Sequence, residues 1–229
     1  LFRSFRYLVT RPGALTVAYI KGQRKAYVGP VSLFLIINVL FFATESLTGG
    51  KVFTTPLESH LRTQPWSSDA VQNLVARAVD EKGKTLASYA PIFDQAVALK
   101  ARSLIIFMAL LFSPAPSIVF YRRHRPLVAH VVFALHLYSF LLLLLCVATT
   151  VPAVSAWWGW AARDSESLDH GISIGLLIAS AVYLYLSAEK VYAERGSLLV
   201  LKTGALTVAV ATVLLGYRFI LLWITLYST

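Results

Sequence analysis

Residues 127–150 read LVAHVVFALHLYSFLLLLLCVATT, with no acid, lysine or arginine among them. A helix rises about 1.5 Å per residue, so about 20 such residues cross the roughly 30 Å of hydrocarbon in a bilayer. Four more long apolar runs lie at 30–47, 102–121, 171–188 and 204–227. Hydrophobic residues make up 57% of the 229, and the mean hydropathy is +0.67. That is too apolar for an ordinary soluble domain. The expected fold is an all-α integral membrane protein, its five transmembrane helices forming a bundle over 30–229. No secretory signal precedes 30–47, so that run is expected to stay as a span. Cys146 is the single cysteine, which excludes a disulfide within the chain.

The net charge of +10 is unevenly spread. Residues 1–29 carry Arg3, Arg6, Arg11, Lys21, Arg24 and Lys25 and no acid. The short connection 121–126 carries Arg122, Arg123 and Arg125, again with no acid. The connections 48–101 and 155–169 mix both signs. Basic segments gathered on one face are cytoplasmic by the positive-inside rule. The expectation is therefore a multi-pass membrane protein with its N-terminus in the cytoplasm and, after five crossings, its C-terminus outside. Arg24, Lys25, Arg122 and Arg123 are expected to touch anionic lipid headgroups. No aromatic-interleaved groove motif accompanies them, so nucleic acid is not an expected partner.

Thr10-Arg11-Pro12 reads as a helix start, Thr capping and Pro in the first turn. The segment 12–21 then reads as a short amphipathic helix lying on the inner surface, part of a cytoplasmic interfacial segment 1–29. The connection 48–101 is too long for a passive turn. Within it, Ser67 or Ser68 caps a stretch with Val71, Leu74, Val75, Ala78 and Val79 on one face, the spacing of a one-sided helix. Glu81-Lys82-Gly83-Lys84 ends it, and Pro91 opens a further helical stretch, 92–100, that leads into the second span. An outer-face helical loop is the result. Ser113-Pro114-Ala115-Pro116 removes two backbone donors from the second span and predicts a kink. Residues 157–160, Trp-Trp-Gly-Trp, suit an aromatic belt.

Two blocks carry a family resemblance. One is Thr10-Arg11-Pro12-Gly13, then Tyr19-Ile20-Lys21-Gly22-Gln23-Arg24, Tyr27, Pro30 and Phe34. The other is Arg122-Arg123 followed by residues 130–140, HVVFALHLYSF. Together they resemble a bacterial family of polytopic inner-membrane proteins catalogued as a domain of unknown function. Members often carry a zinc-ribbon-like segment before the basic block and an acidic residue before the first His of the second block, where this sequence has Ala129. The resemblance implies membrane topology and no activity.

Ionisable residues inside a bilayer are expensive, so a functional role is the starting hypothesis for each. His130 and His136 lie six residues apart, about 240° net around a helix, so the two rings cannot share one metal. Each can ligate a haem or chlorophyll-type pigment, or hydrogen-bond a neighbouring helix. Arg218 interrupts the last run. It can hold an anionic headgroup or a carboxylate such as Glu45, or snorkel to the interface. Asn38 suits interhelical bonding. No zinc-protease motif, nucleophile elbow, phosphate-cradling loop or pair of intramembrane carboxylates is present, so no catalytic residue and no metal site are assigned. The expected role is that of a non-catalytic structural or accessory subunit of a larger inner-membrane complex, respiratory or photosynthetic in kind, with lipids and other membrane subunits as partners. The alternatives are small-molecule or lipid transport or sensing, and tetrapyrrole binding through His136.

Overall fold

The computed structural model describes residues 1–48, 52–53, 55–157 and 165–229, without the side chains of Arg24, 155–157, 165–171 and 173. Among the described residues the regular structure is all helical. The helices are α1 (Phe2–Thr10), α2 (Ala14–Ile20), α3 (Pro30–Thr48), α4 (Leu57–Arg62), α5 (Asp69–Asp80), α6 (Leu86–Leu104), α7 (Ile106–Phe112), α8 (Pro114–Val119), α9 (Leu127–Trp157), α10 (Ser165–Tyr192) and α11 (Ser197–Ser228). Four are long and apolar enough to cross a membrane: α3, α9, α10 over Ile174–Tyr192, and α11. The pair α6 and 106–119 makes a fifth if it is one broken span. The chain is thus a helical protein with several membrane-length helices, as the apolar runs predict.

The chain folds as two compact units, 1–50 with 108–212, and 51–107 with 213–229. In the first, α9 is the central helix. It is apolar all round, the pattern of a helix buried on every side, and 132–139 are all buried. Its neighbours include α3, α2, α10 and α8. The α9–α10 pair is antiparallel: Tyr192 packs on Phe133 and Tyr183 stacks on Phe140 at 3.7 Å. Helix α3 runs alongside α9 in the same direction, because Gly29 and Pro30 meet His136 while Thr44 bonds the Cys146 thiol.

The N-terminal segment differs from its sequence reading. Thr10 does not cap a helix. It ends α1, and its hydroxyl donates to the Arg6 carbonyl at 2.7 Å. Gly13 occupies the N-cap of α2 in the left-handed region, φ +74°. Arg11 and Pro12 form the turn between two short helices. Helix α1 is fastened by aromatic groups: Arg3 lies 5.0 Å from the Tyr27 ring, and Tyr7 and Tyr27 pack at 5.3 Å. Val28 N–H donates to Ser4 Oγ at 3.0 Å. Helix α2 buries Leu15, Thr16 and Ala18 against the bundle, so it is docked as well as amphipathic.

The run 102–121 is not one helix. It is interrupted at Ile105 and again at Ser113. The second break sits immediately before Pro114, as the missing donors require. Ser113 offers both its N–H and its hydroxyl to the Leu110 carbonyl that Pro114 cannot reach, the hydroxyl at 2.8 Å, which is how a bilayer tolerates such a break.

The second unit holds the helical loop. Ser68 caps α5 by accepting from Val71 N–H at 3.4 Å. Val75 and Val79 are buried, and the helix packs on α6. Gly83, at φ +65°, turns the chain. Pro91 does not start the next helix. Thr85 and Ser88 form a capping box there, and Pro91 lies within α6. The box satisfies the first-turn donors, so the start is fixed five residues before 91. The Trp157–Trp160 belt lies outside the residues with described side chains.

Candidate functional site

Several charged residues of the first unit line two open pockets. One open pocket of about 830 Å³ is lined by Thr10, Arg11 and Pro12 together with Glu189, Lys190 and Arg195. A second, of about 530 Å³, is lined by Arg122, Arg123, Glu194, Lys202, Tyr121, Val119 and Leu198. Three basic segments far apart in sequence therefore share these walls. Lys25 is exposed on the 3-10 turn Arg24–Ala26, and the Arg24 side chain lies outside the described residues.

The second pocket is the more structured. Glu194 is buried, its side chain 8% exposed, yet fully occupied: Lys202 Nζ donates to both carboxylate oxygens at 2.8 and 2.7 Å, and Arg123 Nε stands 3.7 Å away. Lys202 also lies over the Phe120 ring at 4.9 Å. Phe120 stacks on Tyr192 at 4.0 Å. Arg125 donates to the Val191 carbonyl at 3.3 Å. Arg122 is exposed and bonds only the neighbouring Tyr121 hydroxyl, at 3.0 Å, among the described contacts.

His130 and His136 serve different helices. His130 Nδ1 bonds the Tyr192 hydroxyl of α10 at 2.9 Å. His136 Nδ1 bonds Thr16 Oγ1 of α2 at 2.8 Å, with both groups buried. That second bond links residues 120 apart and anchors α2 to the central helix. Beside His136 lies a cavity of about 30 Å³ lined by Leu15, Tyr19, Gln23, Tyr27 and Pro30, room for about one water. Replacing Thr16 by Val should leave a buried ring nitrogen unpaired and cost about 1–2 kcal/mol. The same change in a His136→Leu background should cost much less. Thermal unfolding of the four proteins in mild detergent measures the coupling, and equal costs in both backgrounds would show that the bond contributes nothing.

The second unit has a polar locus that the sequence reading missed. His60 is 1% exposed and packs between Trp66 and Phe93. His60 Nδ1, Trp66 Nε1 and Arg218 Nε are buried and without a hydrogen-bond partner. Arg218 donates to the Val52 carbonyl at 3.2 Å. Burial, and secondarily the Arg218 charge, push the His60 pKa down to about 4. A His whose folded pKa lies below its free value of about 6.5 is neutral in the fold and takes up a proton on unfolding. Stability should therefore fall as pH drops from about 6.5 towards 4, and His60→Gln should flatten that slope in a pH series of unfolding midpoints. The only signal for His60 in the sequence is its place one helical turn after Leu57.

Among the described residues no group of three His, Cys, Asp or Glu side chains could hold a metal. Residues 1–42, which hold α1, α2 and most of α3 and thus the Gly13 turn, Thr16 and the Tyr27 clamp, match a family described as a protein of unknown function, DUF3667. No curated protein and no solved structure matches the chain. The similarity is thus to a family of unknown function, over its N-terminal docking segment.

Proposed function

We propose that this protein is a non-catalytic subunit of a larger complex in a bacterial inner membrane, where it packs against and stabilises other membrane proteins. The observation behind this reading is a set of three helical glycines, Gly175 in α10 and Gly204 and Gly216 in α11. A Cβ built at any of them meets nothing within 4 Å. A helical glycine costs about 1 kcal/mol relative to alanine, and packing inside this chain does not offset that cost at these positions. In bilayers, small residues let a second helix approach closely. The most apolar window of α11 is only 17% buried, against 56% for α9. The water-sized cavity beside His136 favours helix packing over tetrapyrrole ligation for that residue.

The pocket walls also support an orientation. Segments 10–12 and 121–123 each share a pocket wall with the stretch 189–202, which we read as one basic face. The chain leaves that face along α3 and is back at Tyr121, so one crossing must return it; the broken pair α6 and 106–119 is the candidate. Five crossings, with the basic face cytoplasmic, follow from this reading.

Gly175→Leu and Gly204→Leu test it. Each should leave the isolated chain at least as stable in detergent as the parent, and up to about 1 kcal/mol more so, because the space is open. Each should strip partner subunits from the protein purified out of native membranes. An unchanged set of co-purifying subunits would refute the packing role.

A further inference from the structure

We infer that the pocket walled by Arg122, Arg123, Glu194 and Lys202 is a binding site for the phosphate of an anionic phospholipid. The charge count comes first. Three bases face one acid, and that acid is committed to Lys202 through both oxygens. Arg123 touches it only at 3.7 Å. The guanidinium groups of Arg122 and Arg123 are therefore the charges left for an external anion. A planar guanidinium suits phosphate oxygens, which it can engage with two N–H groups at once.

The second argument is the lining. Val119 and Leu198 form an apolar side to the same pocket. Leu198 in that wall is 52% exposed, Leu201 in the next turn of α11 is 72% exposed, and Ile118, adjacent to Val119 in α8, is 71% exposed. A basic end opening directly onto uncovered aliphatic side chains fits an amphiphile, with its phosphate on the arginines and its acyl chains along α8 and α11. A free phosphate would use the first half of that surface only. Glu194 sets the strength of the site: it neutralises Lys202 and keeps the pocket from holding its ligand as tightly as three free bases would.

The test uses the full chain in mild detergent, titrated with phosphatidylglycerol, phosphatidylcholine or inorganic phosphate. Bound lipid is read by native mass spectrometry and by the shift in unfolding midpoint. Phosphatidylglycerol should bind selectively over phosphatidylcholine. The Arg122→Ala, Arg123→Ala double variant should weaken it about thirtyfold, as expected for two basic groups near the surface. Glu194→Gln releases Lys202 and should tighten phosphatidylglycerol binding even if it lowers stability, an outcome that general loss of fold cannot imitate. Equal binding of both lipids, or full retention of phosphatidylglycerol by the double variant, would overturn the site. Stabilisation by inorganic phosphate as strong as that by lipid would overturn the lipid as its occupant.

Discussion

Gly13→Ala is expected to destabilise the first unit by about 3 kcal/mol, from backbone strain and overpacking together. Gly13 holds φ +74°, a region that costs a residue with a side chain about 1 kcal/mol or more. A Cβ there would also lie 2.8 Å from the Ser187 carbonyl oxygen and 3.1 Å from its Cα. Both atoms are backbone of α10 and cannot rotate away. The turn must lift, and with it α2 and the Thr16–His136 bond. Gly22→Ala separates the two causes. Gly22 has φ +77° but nothing within 4 Å of a Cβ, so it should cost only the strain, about 1 kcal/mol. Unfolding midpoints in detergent, with limited proteolysis between α1 and α3, measure both. Equal effects at Gly13 and Gly22 would mean that the close approach to α10 is unimportant.

Glu194→Ala is expected to cost a similar amount, about 3 kcal/mol, because it leaves a largely buried ammonium without its partner. Lys202 is 19% exposed and held between Glu194 and the Phe120 ring. The double variant Glu194→Ala, Lys202→Met should lose less than Glu194→Ala alone, since it removes the stranded charge along with the pair. The neighbouring Glu189–Arg195 pair is the contrast. Arg195 is 88% exposed, so Glu189→Ala should cost well under about 1 kcal/mol. If the double variant proves worse than the single one, the cost at Glu194 comes from lost packing and not from an isolated charge.

Much of the helical layout is legible in the sequence because lipid imposes a length and a polarity on each span. The runs at 30–47, 127–150 and 204–227 fall within helices of membrane length, and 171–188 overlaps the remaining one, Ile174–Tyr192. Local chemistry is also legible: Ser68 caps α5, and Gly83 turns the chain after it. Errors arise where a local signal has two meanings. Thr10-Arg11-Pro12 looks like a helix start, but the capping hydroxyl reaches back to Arg6 because α1 already runs into it. Helix α1 itself escapes notice because it is only nine residues long, and its anchor, Tyr27, lies outside it. Pro91 looks like a first-turn residue, whereas Thr85 and Ser88 start the helix earlier. The partners of His130 and His136, and the approach of Arg218 to His60, depend on contacts between residues many tens of positions apart. No periodicity within one segment encodes them.

We propose that the chain crosses the membrane five times from a cytoplasmic basic face. An alkaline phosphatase or green fluorescent protein fused after Thr229 tests it in living cells, since the first is active only outside the cytoplasm and the second fluoresces when fused inside. An active phosphatase and a dark fluorescent fusion are the predicted result. A fluorescent C-terminus without phosphatase activity would mean an even number of crossings, and the return path through α6 and 106–119 would be wrong.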